Sequence, residues 1–162
     1  MMTPWRNTGG PWRNTGRKNP MPREMDAPVI EAAGAVVERN TPEGLCIAVI
    51  YRERYGPEWA LPKGKRRPGE TWQQTGLREV EEEIGLRPVI IGIAGATAYL
   101  AGGVPKLVLY WRMCADREPG PFAPNEEVRK LAWLSLPQAI ERLSHPEEAN
   151  ILRMIVQRNS AQ

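Results

Sequence analysis

Three glutamates, Glu79, Glu82 and Glu83, stand at i, i+3 and i+4 in the run Arg78-Glu79-Val80-Glu81-Glu82-Glu83-Ile84. On a helix, that spacing turns all three carboxylates onto one face, within reach of a common point. Like charges so placed repel and destabilise an isolated helix, and a divalent cation between them would reverse the sign of that interaction. Glu81 points about 100° away on a helix of 3.6 residues per turn and is assigned to solvent. The ligands on offer are hard oxygens with no His or Cys nearby in the sequence, which selects Mg²⁺ or Mn²⁺ over Zn²⁺. Mg²⁺ shares its shell with phosphates, so the chemistry within reach is in-line attack of activated water on a phosphoanhydride. Taken alone, a Glu-rich helix is more simply a solvated acidic face, and the flanking residues must decide.

The carboxylates need a helix with defined ends, and the sequence supplies both. Thr71 followed by Gln74 is a capping-box pattern, and Gly85 stands where a glycine ends a helix, predicting a helix over Trp72 to Ile84. On either side the texture is β-branched and alanine-rich. Val29 to Glu38 and Leu45 to Tyr51 read as an antiparallel pair around Asn40-Thr41-Pro42-Glu43-Gly44. Pro88 to Leu100 and Val104 to Ala115 read as a second pair around Gly102-Gly103, with Val128 to Leu134 a further strand. Pro137 to Leu143 and Pro146 to Gln157 close the chain as helices, the former with Pro at a tolerated first-turn position. Strands, helix, strands, helices in that order fit an α+β fold or an α/β/α sandwich.

At 162 residues the chain has room for one catalytic domain and not for two of ordinary size. Five of its 22 basic side chains (Arg6, Arg13, Arg17, Lys18 and Arg23) and one of its 19 acidic ones (Glu24) lie within residues 1–24, a local charge of +4. The remaining 138 residues, with 17 basic and 18 acidic groups, carry −1 and give no electrostatic case for gripping long nucleic acid. Residues 1–28 repeat Pro-Trp-Arg-Asn-Thr-Gly from Pro4 and again from Pro11, then run on rich in Pro and basic residues. This segment reads as a disordered tail, either a dispensable extension or a Trp/Arg arm for a nucleic acid or protein; the folded domain is placed at 29–162. Cys46 and Cys114 sit in apolar runs and read as buried thiols, not as a disulfide or a metal site. With no apolar stretch of membrane-spanning length, the expectation is a soluble cytoplasmic protein.

The segment from Gly64 to Leu86 matches G-x5-E-x7-R-E-U-x-E-E-x-G-U (U apolar) at every specified position: Gly64, Glu70, Arg78, Glu79, Val80, Glu82, Glu83, Gly85 and Leu86. It resembles the Nudix box, and nine matches at fixed spacing overturn the solvated-face reading. The resemblance implies an α/β fold, the Nudix α/β/α sandwich with a mixed sheet and a catalytic loop-helix. It implies Glu79, Glu82 and Glu83 as metal-binding carboxylates, Gly64 as the residue whose carbonyl completes the shell, and an Arg78–Glu70 salt bridge that shapes the loop. Outside the box, Ala32-Ala33-Gly34-Ala35-Val36 is similar to the family's opening strand. Trp59-Ala60-Leu61-Pro62-Lys63-Gly64-Lys65 is similar to the entry of its box, and Glu127-Val128 with Trp133-Leu134 to a later strand. One departure is Gly76, where members often carry Ala; it costs about 1 kcal/mol of helix propensity and is read as allowing a close backbone contact.

Arg52, Arg54, the lysines Lys63 and Lys65 flanking Gly64, and Lys106 are read as cations near the box entrance and suit a polyphosphate of several units. The Leu-Pro-Lys-Gly-Lys entry resembles that of MutT-type and dinucleoside polyphosphate hydrolases, so diadenosine polyphosphates and (d)NTPs, including oxidised ones, lead as substrates. Tyr99, before a glycine turn, is a candidate to stack on a base, whereas Trp111 and Trp133 alternate with apolar residues and read as core. His145 precedes Pro146 at a helix entrance and reads as structural. The general base is given to a glutamate, with Glu127 or Glu126 as a second candidate beside the box. Two other readings stand beside this one: a 5′-end RNA pyrophosphohydrolase using the tail, and a non-catalytic nucleotide sensor, which the complete carboxylate set argues against.

Overall fold

The β-branched and alanine-rich run from Ile30 becomes the central strand of one mixed sheet. The computed structural model describes residues 28–115 and 118–161; the repeat-bearing tail, and with it the tail's nucleic-acid reading, lies outside the described residues. Strand β1 (Ile30–Thr41) turns through Pro42-Glu43 into β2 (Gly44–Arg52), with Gly44 at φ 124° where a side chain would be strained. Two three-residue strands follow, β3 (Glu58–Ala60) and β4 (Lys63–Lys65), then helix α1 (Trp72–Ile84). Strands β5 (Val89–Ala101) and β6 (Val104–Cys114) form a hairpin whose turn holds Gly102 and Gly103, both at positive φ. Strand β7 (Lys130–Ser135) and helices α2 (Leu136–Arg142) and α3 (Pro146–Ser160) complete the order.

The sheet runs β3-β2-β1-β6-β5, with β4 pairing β1 and β7 pairing β2. Among the strand pairings of the described residues β1–β6 is parallel and the others are antiparallel, so the sheet is mixed, as expected. Side chains of β1 alternate between two cores. Ala32 and Val36 enter one with Ala139, Leu143, Ile151 and Leu152 of α2 and α3. Ala35 and Val37 enter the other with Val80 and Ile84 of α1. The result is an α/β/α sandwich. Trp111 is buried and donates its indole N–H to the Trp72 carbonyl at 3.0 Å, while Trp133 is partly buried beneath Arg39.

Several boundaries differ from expectation, each for a nonlocal reason. The expected strand from Val128 begins instead at Lys130, because the Asn125 side chain accepts the amides of Glu127 and Val128 and holds them in a loop. The short β3 and β4 carry no periodicity of their own and form only because β2 and β1 offer them a ladder. Cys46 and Cys114 are half-buried, not fully so.

Gly76 has the close contact its helix cost implied. A Cβ there would stand 2.8 Å from Trp111 Cδ1 and 3.2 Å from Met113 Cε. Overpacking of this kind costs about 1–3 kcal/mol, against about 1 kcal/mol regained in helix propensity. We therefore expect Gly76→Ala to lower stability by roughly 1 kcal/mol, read as a lower urea midpoint at unchanged m-value. An unchanged or higher midpoint would show that β6 yields freely to α1.

Candidate active site

Helix α1 is held by the devices read from its sequence. Thr71 and Gln74 exchange both capping-box hydrogen bonds, and Gly85 adopts φ 72° while donating its N–H to the Glu81 carbonyl. The fixed helix turns Glu79 and Glu83 inward against β4, where both are buried. Glu83 Oε2 accepts the Lys63 amide at 2.9 Å. Gly64 leaves its Cβ space to the Glu79 carboxylate, which a side chain at that position would overlap. Register explains why lysines and glycine alternate here. Lys63 and Lys65 pair with Gly34 and Ala32 of β1, and Gly64 with Ala33, so the lysines share the α3 face of the sheet while Gly64 faces α1.

Arg78 ties the loop to the helix. Its Nε and Nη2 donate to the two Glu70 oxygens at 2.6 and 3.0 Å, its Nη2 also reaches the Lys65 carbonyl at 2.9 Å, and its Nη1 donates to Glu79 at 2.5 Å. The Arg78 hydrogen bonds, joined by the Arg67 amide and the Thr75 hydroxyl, hold the Glu70 carboxyl at about 2 against the opposing cost of desolvation. Glu70 therefore stays an anion across any working pH.

The buried carboxylates behave differently. Burial pushes Glu83 up to about 8; Arg52 and Lys63 oppose the shift, and neighbouring Glu79 adds to it. Glu79 is raised too, first by burial and then by Glu82 and Glu127, against the pull of Arg78. Two buried anions that burial and mutual repulsion disfavour are what a divalent cation would stabilise.

Glu82 corrects one expectation. Its carboxylate is not among the three that converge within 4.8 Å; it shares Arg78 Nη1 with Glu79, is about half exposed and accepts from Arg67 Nη2 and Arg78 Nη1, both at 3.0 Å. Arg78 sits one turn earlier on the same helix and draws Glu82 along the surface. Glu127 stands in that place instead: one oxygen from each of Glu79, Glu83 and Glu127 lies within 4.8 Å of the others. Asn125 explains how a loop residue arrives there. Its side chain donates to the Glu83 carbonyl at 3.1 Å at the end of α1 while accepting the amides of Glu127 and Val128. Glu127 is exposed and also faces Arg54 Nη1 at 3.8 Å; Glu126 is exposed beside it.

The cations divide into engaged and open ones, which corrects two more expectations. Lys63 is buried and its ammonium is already held by Glu148 at 2.7 Å, so it is not an open cation. Arg52 donates from Nε and Nη2 to Glu58 at 3.0 and 2.7 Å and reaches Glu83 from Nη1 at 3.4 Å; its burial works against the charge, but Glu83 and Glu58 outweigh it. Arg54 is exposed and lies over Tyr55. Lys65 is exposed, and Lys106 is half-buried beside Tyr99, its cross-strand partner, with Nζ 5.8 Å from the ring centre. Burial depresses the Lys106 ammonium, and so do the nearby charges of Lys63, Arg52 and Lys65, so these cations share one electrostatic neighbourhood. Tyr99 and Lys106 line an apolar hollow with Val29, Leu100, Pro105 and Leu107.

Two participants carried no signal in the sequence. Glu58 bridges Arg52 and His145 (2.6 Å to Nε2), giving the lone histidine its structural partner. Glu148, on α3, is buried and accepts from Leu61, Lys63 and Tyr110. Nothing local distinguishes Glu148 from its exposed neighbour Glu147.

The NUDIX domain family model matches residues 29–155. The chain is 37% identical over 144 residues to an 8-oxo-(d)GTP phosphatase of Mycolicibacterium smegmatis, covering 83% of this chain but only 44% of that protein's length. It is 30% identical over 130 residues to the asymmetrical bis(5′-nucleosyl)-tetraphosphatase of Caenorhabditis elegans, covering 77% of this chain and 93% of the relative. The crystal structure of a C. elegans Ap4A hydrolase binary complex superposes with a TM-score of 0.74 at 25% identity, over 82% of this chain and 99% of that one. The chain belongs to the Nudix family. Among the described residues, no helix is long and apolar enough to cross a membrane.

Proposed function

We propose that this protein is an Mg²⁺-dependent (or Mn²⁺-dependent) hydrolase of phosphoanhydride bonds in nucleoside diphosphates linked to a further group, with dinucleoside polyphosphates and (d)NTPs as its substrates. The observation that carries the substrate reading is the grouping of two cations, Lys65 and Lys106, with the exposed ring of Tyr99 on the α3 face of the sheet, in one charge neighbourhood with Arg52, which reaches the buried Glu83 carboxylate. The names of the two relatives above, one a phosphatase of 8-oxo-(d)GTP and one a tetraphosphatase, support the same class.

Glu79, Glu83 and Glu127, with the Gly64 carbonyl and with Glu82 brought in by a change of rotamer, would hold the cation. Bound there, it would neutralise phosphate charge and make water a better nucleophile. Glu127, exposed between Arg54 and the carboxylate pair, is assigned to accept the proton of the attacking water through the oxygen not turned to the cation. Arg78 with Glu70 keeps the loop against the helix, and Arg52 is assigned to holding Glu83 rather than to gripping phosphate. Lys65 and Lys106 bind the phosphates farther from the cut, and Tyr99 stacks on a base.

Each further phosphate then meets a charge-assisted partner, at roughly 1.5–3 kcal/mol per hydrogen bond to a charged group. Diadenosine tetra- to hexaphosphates are expected to exceed ADP-ribose in kcat/KM, and Lys106→Ala is expected to act mainly on the longer chains. Steady-state kinetics across the series decides. Higher efficiency on ADP-ribose, or a Lys106→Ala effect equal at all lengths, would sink the polyphosphate reading and leave the Nudix chemistry standing.

A further inference from the structure

We infer that Glu148, on α3, is a positioning residue for the metal carboxylates, acting from the opposite layer of the sandwich through the segment Leu61–Gly64. The inference rests on the metal site proposed above. Glu148 is 2% exposed, yet three donors converge on it: the Leu61 amide at 3.0 Å, the Lys63 ammonium at 2.7 Å and the Tyr110 hydroxyl at 2.7 Å. A buried carboxylate is tolerated only when paired and hydrogen-bonded, so these contacts are held together at high cost to any member that leaves.

The same short segment touches the site from its other side. The Lys63 amide donates to Glu83, and Gly64 abuts the Glu79 carboxylate. Just before them in the chain, the Pro62 carbonyl accepts the Ala35 amide at 3.0 Å, so the segment is pinned to β1 as well. Lys63 therefore bridges two acids through two different groups: its side chain binds Glu148 on the α3 face, and its backbone binds Glu83 on the α1 face. Loss of the Glu148 anion frees Leu61 and the Lys63 side chain, and it is the Lys63 amide that then loses its fixed aim at Glu83. This accounts for a lysine at the box entrance whose ammonium is taken up by Glu148.

The test uses Glu148→Gln, which keeps the volume but sets an amide N–H₂ against a set of donors. Direct partners of a metal ligand commonly change affinity by ~10–100-fold; Glu148 acts through Lys63, so a loss of about tenfold, the low end of that range, is expected for Mn²⁺ bound directly to the protein and followed by electron paramagnetic resonance. In metal-free protein, residue-resolved amide hydrogen exchange is expected to rise about tenfold at both Leu61 and Lys63, the effect of one lost hydrogen bond to a charged group. Tyr110→Phe, which removes one of the three donors and leaves the ion pair, is expected to move both readouts in the same direction by less, and it serves should Glu148→Gln fail to fold. A lowered melting temperature with Mn²⁺ affinity and Lys63 exchange unchanged would make Glu148 a structural residue only and overturn the inference. Exchange at Lys63 needs neither substrate nor metal. Failure of wild type to take up Mn²⁺ would therefore remove the metal site, whereas unchanged Lys63 exchange in the variants would remove the positioning role.

Discussion

Replacing Glu83 by Gln is expected to remove most metal-dependent turnover, by on the order of 10²-fold or more, while leaving the metal-free fold at least as stable as the parent's. The two halves of this expectation have one cause. Glu83 is 1% exposed, and burial pushes its carboxyl up to about 8, so the folded chain resists ionising it. Glutamine supplies the carbonyl oxygen that the Lys63 amide needs without the buried charge, but it is a poor ligand for a hard cation. The pH dependence has a definite sign. A carboxyl whose folded pKa is raised above its ordinary value binds more protons folded than unfolded, so its contribution to stability is present below about 4.5 and is lost as pH rises towards about 8. In EDTA, the melting temperature of Glu83→Gln relative to wild type should accordingly rise across that window. The same chelation should abolish wild-type activity, and Mg²⁺ or Mn²⁺ should restore it. Full turnover in excess EDTA, or a fully active Glu83→Gln enzyme, would end the metal assignment.

Gly64→Ala is expected to lower kcat/KM by at least ~100-fold, the scale on which a misplacement of about 1 Å acts at a reacting centre. The new methyl would occupy the space of the Glu79 carboxylate, which Arg78 holds from the other side at 2.5 Å. Glu79 would have to leave, and Lys63 and Lys65 would shift with the strand between them. Because Gly64 is partly exposed at the rim of the site and not in the core, the loss should appear in turnover and metal affinity far more than in the urea midpoint. Near-wild-type kcat/KM would mean that the approach of β4 to α1 does not matter to catalysis.

The reach of the sequence is visible in these same residues. The limits of α1 were legible to the residue, because a helix end is decided by neighbours three or four positions apart: Thr71 with Gln74, Gly85 with Glu81. The box was legible because its loop and helix are contiguous and match the family pattern: spacing placed Glu79 and Glu83 on one face, and the resemblance implied the Arg78–Glu70 pair and the place of Gly64. The hairpins of β1 with β2 and of β5 with β6 followed from alternation and turn residues.

What only the tertiary structure decided is the direction of side chains across the sheet. From spacing alone, Lys63 and Lys65 are equivalent flanks of Gly64, and both lie on one face; that one of them is consumed by Glu148 depends on α3, more than eighty residues away, docking over β4. Arg52 likewise reads as a free cation until β3 pairs with β2 and sets Glu58 opposite it. Helical periodicity puts Glu82 with Glu79 and Glu83, but a surface position free to follow Arg67 and Arg78 does so, and Glu127 comes in from a loop pinned by Asn125. Local sequence determines which segments form and which groups they carry, because capping, turns and periodicity act within a few residues. Which charges face one another is settled by strand register and layer packing, whose energies depend on partners that no local pattern names.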